Sequence, residues 1–449
     1  MKITLDFLER LFSGSLPFVL TVLLGGYFTI KTRFFQFKNL VPSVLALKVE
    51  KGDRKASFLA MCNSLSAAIG TGNIVGVAAA VSLGGAGAIF WMWITALLGM
   101  VIKAGEIALG VYYREKNRDN FQGGPIYYIK NALPKGWGFL GVIFSVLGLA
   151  SSFFCGNITQ INSAAVSVSQ SMWIRFIIGV IAAAVIFFVI RGGVKKIFSF
   201  LGVLLPFMSV LYILLCVGVL ALNYKEIGSA FLKIFIGAVS PKSVTGGAVG
   251  NVISVISIGA SKGIFSNEAG LGTAAIAHST PKNTTPKEQS LFGIFEVFVD
   301  TILICTLTGL TILTSGVIID YGTVSDKLLT VSAFSTVYGN FSKYLLSVML
   351  LLFGISSVIG WASYGISFAD FLFGEKAVKV FKLVYPIISV IGAVSSGVIV
   401  WRLAELFNGF MVIINLLVMS FLSKEVILLL KGNEIDKTKD KKHKGFFKK

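Results

Sequence analysis

Eleven apolar blocks separated by short polar links govern what this chain can fold into. They fall at about residues 15–31, 58–82, 87–112, 138–166, 172–190, 197–222, 248–277, 289–315, 342–370, 379–398 and 407–430. Each is about 17 to 30 residues long, enough for a helix to cross the roughly 30 Å hydrocarbon layer of a bilayer. Within a block the apolar residues run continuously instead of alternating with polar ones, which excludes a membrane β-barrel. Of the 449 residues, 55% are hydrophobic and only 14% charged, so no soluble interior is large enough and the bilayer is the main solvent. The expected fold class is an all-α polytopic membrane protein with eleven transmembrane helices.

The net charge of +19 is distributed in a way that argues against nucleic acid. If the basic loop 31–57 is cytoplasmic, the segments 31–57, 113–137, 191–197, 278–289, 371–382 and 431–449 lie inside and hold 28 of the 40 Lys and Arg. This positive-inside pattern predicts an outside N-terminus and an inside C-terminus in the plasma (inner) membrane. The tail ending in KTKDKKHKGFFKK reads as a cytoplasmic charge run beside anionic lipid. Asp6 and Glu9 spoil a basic signal-peptide start, so LPFVLTVLLGGYFTI is taken as the first span.

Cys62, Cys155, Cys216 and Cys305 all fall inside blocks without C-x-x-C spacing, which suits small packing residues. His278 and His443 fall on segments read as cytoplasmic, and no Walker lysine, H-E-x-x-H or G-x-S-x-G motif occurs. An enzyme is therefore not expected, nor is a cofactor.

Two blocks contain residues that an unbroken membrane helix does not tolerate. The second carries AAIGTGNIVG at 67–76, placing Gly70, Thr71, Gly72 and Asn73 near its middle. Each glycine costs a helix about 1 kcal/mol relative to alanine, and a backbone group left bare in lipid costs several more. The seventh carries SIGASKGIFSNEAGLGTA, with Lys262, Ser266, Asn267 and Glu268 among glycines. Such centres persist only where protein or water surrounds them.

Setting block 1 aside, the other ten divide into fives, and the two broken blocks open each half. Five is odd, so the halves enter the membrane from opposite sides, as in inverted-repeat transporters. The expected organisation is residues 1–57 as first helix and basic loop, 58–222 as first repeat, 223–247 as connector, 248–430 as second repeat and 431–449 as tail. At the first break, the half-helix starting near Gly72 offers N–H groups to a carboxylate. The half-helix ending near Ile69 offers carbonyls to a cation.

At these residues the chain resembles the alanine or glycine:cation symporter family. The stretches carrying the likeness are TRFFQF (32–37), GTGNIVGVA (70–78), QGGPIYYI (122–129), GIFSNEAGLGTAAIAH (263–278), FEVFVDTILICTLTG (295–309) and IGWASYG (359–365). The resemblance implies the leucine-transporter fold with discontinuous helices 2 and 7, and Na⁺-coupled symport of small neutral amino acids by alternating access. It also implies a Na⁺ site from the Ser66, Ile69 and Phe353 carbonyls with Ser356 and Ser357, and a second from the Ala68 carbonyl and Asn73. For the substrate it points to Gly70, Thr71, Gly72, Gln160, Ser261, Gly263, Phe265 and Trp361. Two departures stand out: Lys262 where the family usually has Arg, and Ile366 where a Glu is common.

Gln160 lies about 12 Å beyond the midpoint of its block at 1.5 Å per residue, so it is either a ligand contact or a bond to a neighbouring helix. Lys103 and Glu106, three apart, are expected to pair with each other. Glu296 and Asp300 are expected to neutralise Lys262, or else to attract cations or carry protons. Rival readings keep the fold but use proton coupling or another cargo such as glutamine; an ion channel is the rival of another class.

Overall fold

A computed structural model describes residues 10–48, 53–117, 120–323, 326–433 and 435. The apolar blocks fold into helices, here α1 (Leu16–Lys31), α2 (Asp53–Ala68), α3 (Val75–Gly84), α4 (Gly87–Tyr112), α5 (Phe139–Phe153), α6 (Thr159–Val168), α7 (Met172–Arg191) and α8 (Gly193–Leu222). The second half continues with α9 (Val252–Asn267), α10 (Thr273–His278), α11 (Pro286–Val297), α12 (Thr306–Thr314), α13 (Ser342–Phe373), α14 (Glu375–Val394) and α15 (Gly397–Phe421). Shorter helices join them, and among the described residues two short strands, Glu115–Asn117 and Asn120–Gln122, pair antiparallel. The Lys-rich tail lies outside the described residues apart from Lys431, Gly432, Asn433 and Ile435.

Among the described residues, nine helices are long and apolar enough to cross a membrane; Arg54–Ala68 and Thr71–Gly84 make a tenth crossing only as a pair bent by 57°. The block at 248–277 divides into α9, of 16 residues, and α10, of 6, on either side of a non-helical segment. Glu268, Gly270 and Gly272 in that segment all have positive φ, a conformation that costs glycine little and other residues more. The last block also shifts, because α15 begins at Gly397 and ends at Phe421. Arg402 and Glu405, which read as loop residues, are part of it; Glu405 is accommodated by Lys262, 2.6 Å away.

Packing follows the order of the blocks. In the first half α4 packs along α11, α5 and α6 pack along α13, and α7 packs along α14. Each of these contacts joins a block to the one five places later. Large apolar side chains on α7, α8 and α14, such as Phe188, Phe207 and Ile387, remain exposed, which suits helices whose outer surface meets lipid. The centre is packed around Trp361, Tyr364, Phe353 and Phe368. The four cysteines are buried free thiols, in line with a packing role.

Besides the π-helical stretch Arg10–Ser15 that leads into α1, two spans carry π-helical turns, at Phe154–Ile158 between α5 and α6 and at Phe298–Cys305 between α11 and α12. A π-turn adds a residue and rotates the helix face that follows it. Both lie beside the polar groups that reach the centre of the molecule.

Candidate functional site

The chain leaves the helical path after Ala68. The Gly70 N–H, which an intact helix would direct to the Ser66 carbonyl, bonds instead to Asn73 Oδ1 at 3.1 Å. A single tight turn, Thr71–Asn73, then leads into α3. The C-terminal carbonyls of α2 are thereby released from the helical ladder. The Ser66 hydroxyl beside them is buried and has no partner among the described residues.

Four other spans close on this turn, one of them α9, whose Ser266 accepts from Asn73 Nδ2 at 3.1 Å. Gln160, one residue into α6 and just past the π-turn, accepts from both the Thr71 N–H (2.9 Å) and the Thr71 hydroxyl (3.0 Å). From α13, Ser357 donates to the Ala67 carbonyl at 2.9 Å, and Ser356 donates to the Phe353 carbonyl at 2.9 Å. Asp300, inside the second π-turn, accepts from Asn73 Nδ2 at 2.7 Å, from Ser266 at 2.7 Å and from Thr301 at 2.7 Å. Ser66, Asn73, Asp300, Ser356 and Ser357 are all fully buried.

The two glycines of the turn face different surroundings. A Cβ on Gly70 would lie 2.6 Å from Gln160 Oε1 and 3.2 Å from Ser357 Oγ, so the backbone approaches closely there. A Cβ on Gly72 would meet only Phe265, at 4.0 Å. The open side of the turn therefore faces Phe265, whose ring lies 5.7 Å from that of Trp401.

The structure thus brings together Ser66, Ala68, Ile69, Gly70, Thr71, Gly72, Asn73, Gln160, Phe265, Phe353, Ser356 and Ser357. Three expected substrate residues make their bonds or packing contacts elsewhere, although Ser261 and Phe265 line one small pocket. Gly263 lets α9 pack on α4, since a Cβ would lie 2.3 Å from Thr95 Oγ1. Ser261 bonds to the Ser13 carbonyl at 3.3 Å and lines a vestibule of about 600 Å³ beside Lys262 and Glu405. Trp361 is fully buried against Gly156 and donates to Glu268 Oε1 at 2.9 Å. On the opposite face, a cavity of about 690 Å³ is lined by Ala56, Gln122, Lys195, Lys282 and Ser363.

The charges pair differently from the sequence expectation. Lys103 bonds to Glu296 (3.1 Å), and Glu106 instead accepts from the Gly272 N–H (3.1 Å) and Asn415 (3.1 Å). The two side chains share a face of α4, but the break after Asn267 lies against that face and each reaches a different side of it. Lys262 is neutralised by Glu405 rather than by Glu296 or Asp300. His278 is buried, not on a solvated loop, and lies 2.6 Å from Glu296 Oε1.

Ser266, Thr301 and the site role of Asp300 were missed as members of the first-break cluster. Thr301 looks like an ordinary helix residue in the sequence; the signals were the polar centre that includes Ser266 and the carboxylate of Asp300 inside a span.

A family model described as the sodium:alanine symporter family matches residues 1–448. The sodium/alanine symporter AgcS of Methanococcus maripaludis is 36% identical over 444 residues, covering 95% of this chain and 96% of the relative. The probable sodium/glutamine symporter GlnT of Bacillus subtilis is 35% identical over 435 residues, covering 96% and 89%. Among solved structures, MhsT in complex with L-phenylalanine aligns with a TM-score of 0.59 at 14% identity, covering 83% of this chain and 97% of that one.

Proposed function

Since this chain belongs to the sodium:alanine symporter family, we propose that it imports alanine or glycine together with Na⁺ by alternating access. It is a multi-pass membrane transporter and not an enzyme. The observation that carries the proposal is the turn at Gly70–Asn73, where released carbonyls, buried hydroxyls and a carboxylate converge on one centre. Hard oxygen donors of this kind suit a hard cation. The orphaned Ser66 hydroxyl and the neighbouring Ser356 and Ser357 fit the first Na⁺ position.

Charge balance points the same way. Among the described residues, Glu106, Glu268, Glu296 and Asp300 are buried carboxylates, set against buried Lys103 and His278. A dry interior does not hold such an excess of negative charge without a cation or a proton. Asp300 beside Asn73 is the charged oxygen for the second cation position.

In this reading the amino acid lies on the open side of Gly72, with its carboxylate toward the N-terminal end of the α3 segment and Phe265 as a wall. Eleven spans, with α2–α3 and α9–α10 as discontinuous spans, form two inverted repeats at 58–222 and 248–430. The block-to-block packing of α4 on α11 and α7 on α14 supports that symmetry. The basic loops are cytoplasmic, so the 690 Å³ cavity opens inward and the 600 Å³ vestibule outward. One Na⁺ moving down 100 mV releases about 2.3 kcal/mol, and a tenfold gradient adds about 1.4. Together they concentrate substrate several hundredfold without ATP.

Radiolabelled alanine uptake into proteoliposomes, driven by Na⁺, K⁺ or H⁺ gradients, tests this. Uptake with Na⁺ alone supports it; uptake with H⁺ alone moves the coupling to protons, for which Asp300 is the candidate carrier. Movement of glutamine but not alanine changes the cargo, an outcome favoured by the likeness to GlnT.

A further inference from the structure

The second break is furnished differently from the first. Helix α9 ends at Asn267, because Glu268 takes φ +54° and the carbonyls of the last turn lose their helical partners. Lys103 reaches this end from α4. Its ammonium donates to the Asn267 carbonyl at 2.8 Å and lies 3.1 Å from Glu296 Oε2, with both side chains at most 1% exposed.

The surrounding groups hold that carboxylate in place. Ser64 of α2 donates to Glu296 Oε2 at 2.7 Å, and His278 holds Oε1 at 2.6 Å while its other ring nitrogen meets Gln289 at 2.6 Å. A helix-end carbonyl and a buried carboxylate together form the kind of oxygen pair that binds a hard cation. Three residues along α4, Glu106 accepts from the Gly272 N–H on the other side of the same break. This break therefore has its charge partners built into the chain. Among the described residues, the side chains against the turn at the first break are neutral Gln160, Phe265, Ser266 and Ser357 together with anionic Asp300, which bonds to Asn73, and no ammonium is among them.

We propose that the Lys103 ammonium is a tethered cation occupying a cation site at the second break, so that this break takes no mobile ion and ion coupling is confined to the first. The proposal rests on the reading of the protein as a cation-coupled transporter. It makes Lys103 a determinant of ion stoichiometry and not only a structural counter-charge. Removing the side chain leaves the Asn267 carbonyl and the Glu296 carboxylate for a free Na⁺. Removing the carboxylate as well abolishes the site.

The test is ²²Na⁺ binding to the purified full-length protein, comparing wild type with K103A, K103R and K103M/E296Q. The expected result is one additional Na⁺ per protein in K103A, and the wild-type number in K103R and in the double variant. An unchanged number in folded K103A overturns the proposal, as does an extra ion in K103M/E296Q. If K103A is recovered only from Na⁺ buffers and not from choline, the proposal is supported; recovery from neither overturns it, since the vacated site then accepts no Na⁺. A wild-type protein that binds no Na⁺ refutes Na⁺ coupling at the first break, yet the one-ion difference between K103A and wild type still reports on Lys103.

Discussion

The side-chain oxygen of Gln160 accepts hydrogen bonds from both the backbone N–H and the hydroxyl of Thr71, tying α6 to the turn that interrupts α2 and α3. One neutral amide thus satisfies a backbone donor at the start of a half-helix, where an anionic ligand is also favoured. Replacing it with leucine leaves a buried N–H unpaired, at a cost of about 1–3 kcal/mol. Q160L is expected to raise the KM for alanine by about tenfold or more, with the protein still folded. Saturation kinetics in proteoliposomes check this, and an unchanged KM would show that Gln160 serves the turn without affecting the ligand.

Variants of Ser356 and Ser357 test cation binding separately from substrate binding. S356A and S357A each remove one oxygen from the proposed Na⁺ position, and S357A also releases the Ala67 carbonyl. The Na⁺ concentration for half-maximal uptake should rise about tenfold for a loss near 1.4 kcal/mol, while the KM for alanine at saturating Na⁺ changes little. Equal shifts in both quantities would place these hydroxyls outside the cation site.

The neighbouring glycines should respond unequally to the same substitution. G72A adds a methyl where the nearest atom is 4.0 Å away, so it is expected to fold and to exclude larger cargo, lowering any glutamine uptake more than glycine uptake. G70A places its methyl 2.6 Å from Gln160 Oε1 and should impair transport of every substrate, through displacement of that amide. Competition assays with amino acids of increasing size give the comparison. Identical profiles for the two variants would contradict the assignment of the open side to Gly72.

Asp300 distinguishes Na⁺ from proton coupling. D300N keeps the shape and removes the charge, so strong loss of Na⁺-driven uptake is expected, with thermal stability within about 3 kcal/mol of wild type because the amide retains partners. If protons drive the carrier, the same variant should abolish the pH dependence of uptake and leave Na⁺ without effect. Full Na⁺-driven uptake in D300N would remove Asp300 from the coupling machinery.

Much of the architecture was legible in the sequence because membrane burial imposes long, continuous apolar runs that need no tertiary information to recognise. The break at Gly70–Asn73 was legible too, since glycine and a buried amide conflict with an unbroken helix in lipid. Gln160 was left between two readings because helical rise places it away from the centre; the π-turn at Phe154–Ile158 just before it cannot be seen in hydropathy. Ser261, Gly263 and Trp361 were grouped with the substrate because the family resemblance points to the second break and to Trp361. Instead the Ser261 and Trp361 side chains meet Ser13 and Glu268, and Gly263 is packed against α4.

By itself the sequence determined the solvent, the helical class, the family and the place where backbone polarity had to be released, because these follow from local composition and order. Tertiary structure alone decided which charge met which. Lys103 and Glu106 share a helix face but bond to Asn267 and Glu296 on one side of a break and to Gly272 on the other. Lys262 found Glu405, 143 residues away. In a low-dielectric interior each charge must be matched by whatever helix packing brings within hydrogen-bond reach, and distance along the chain carries no record of that choice.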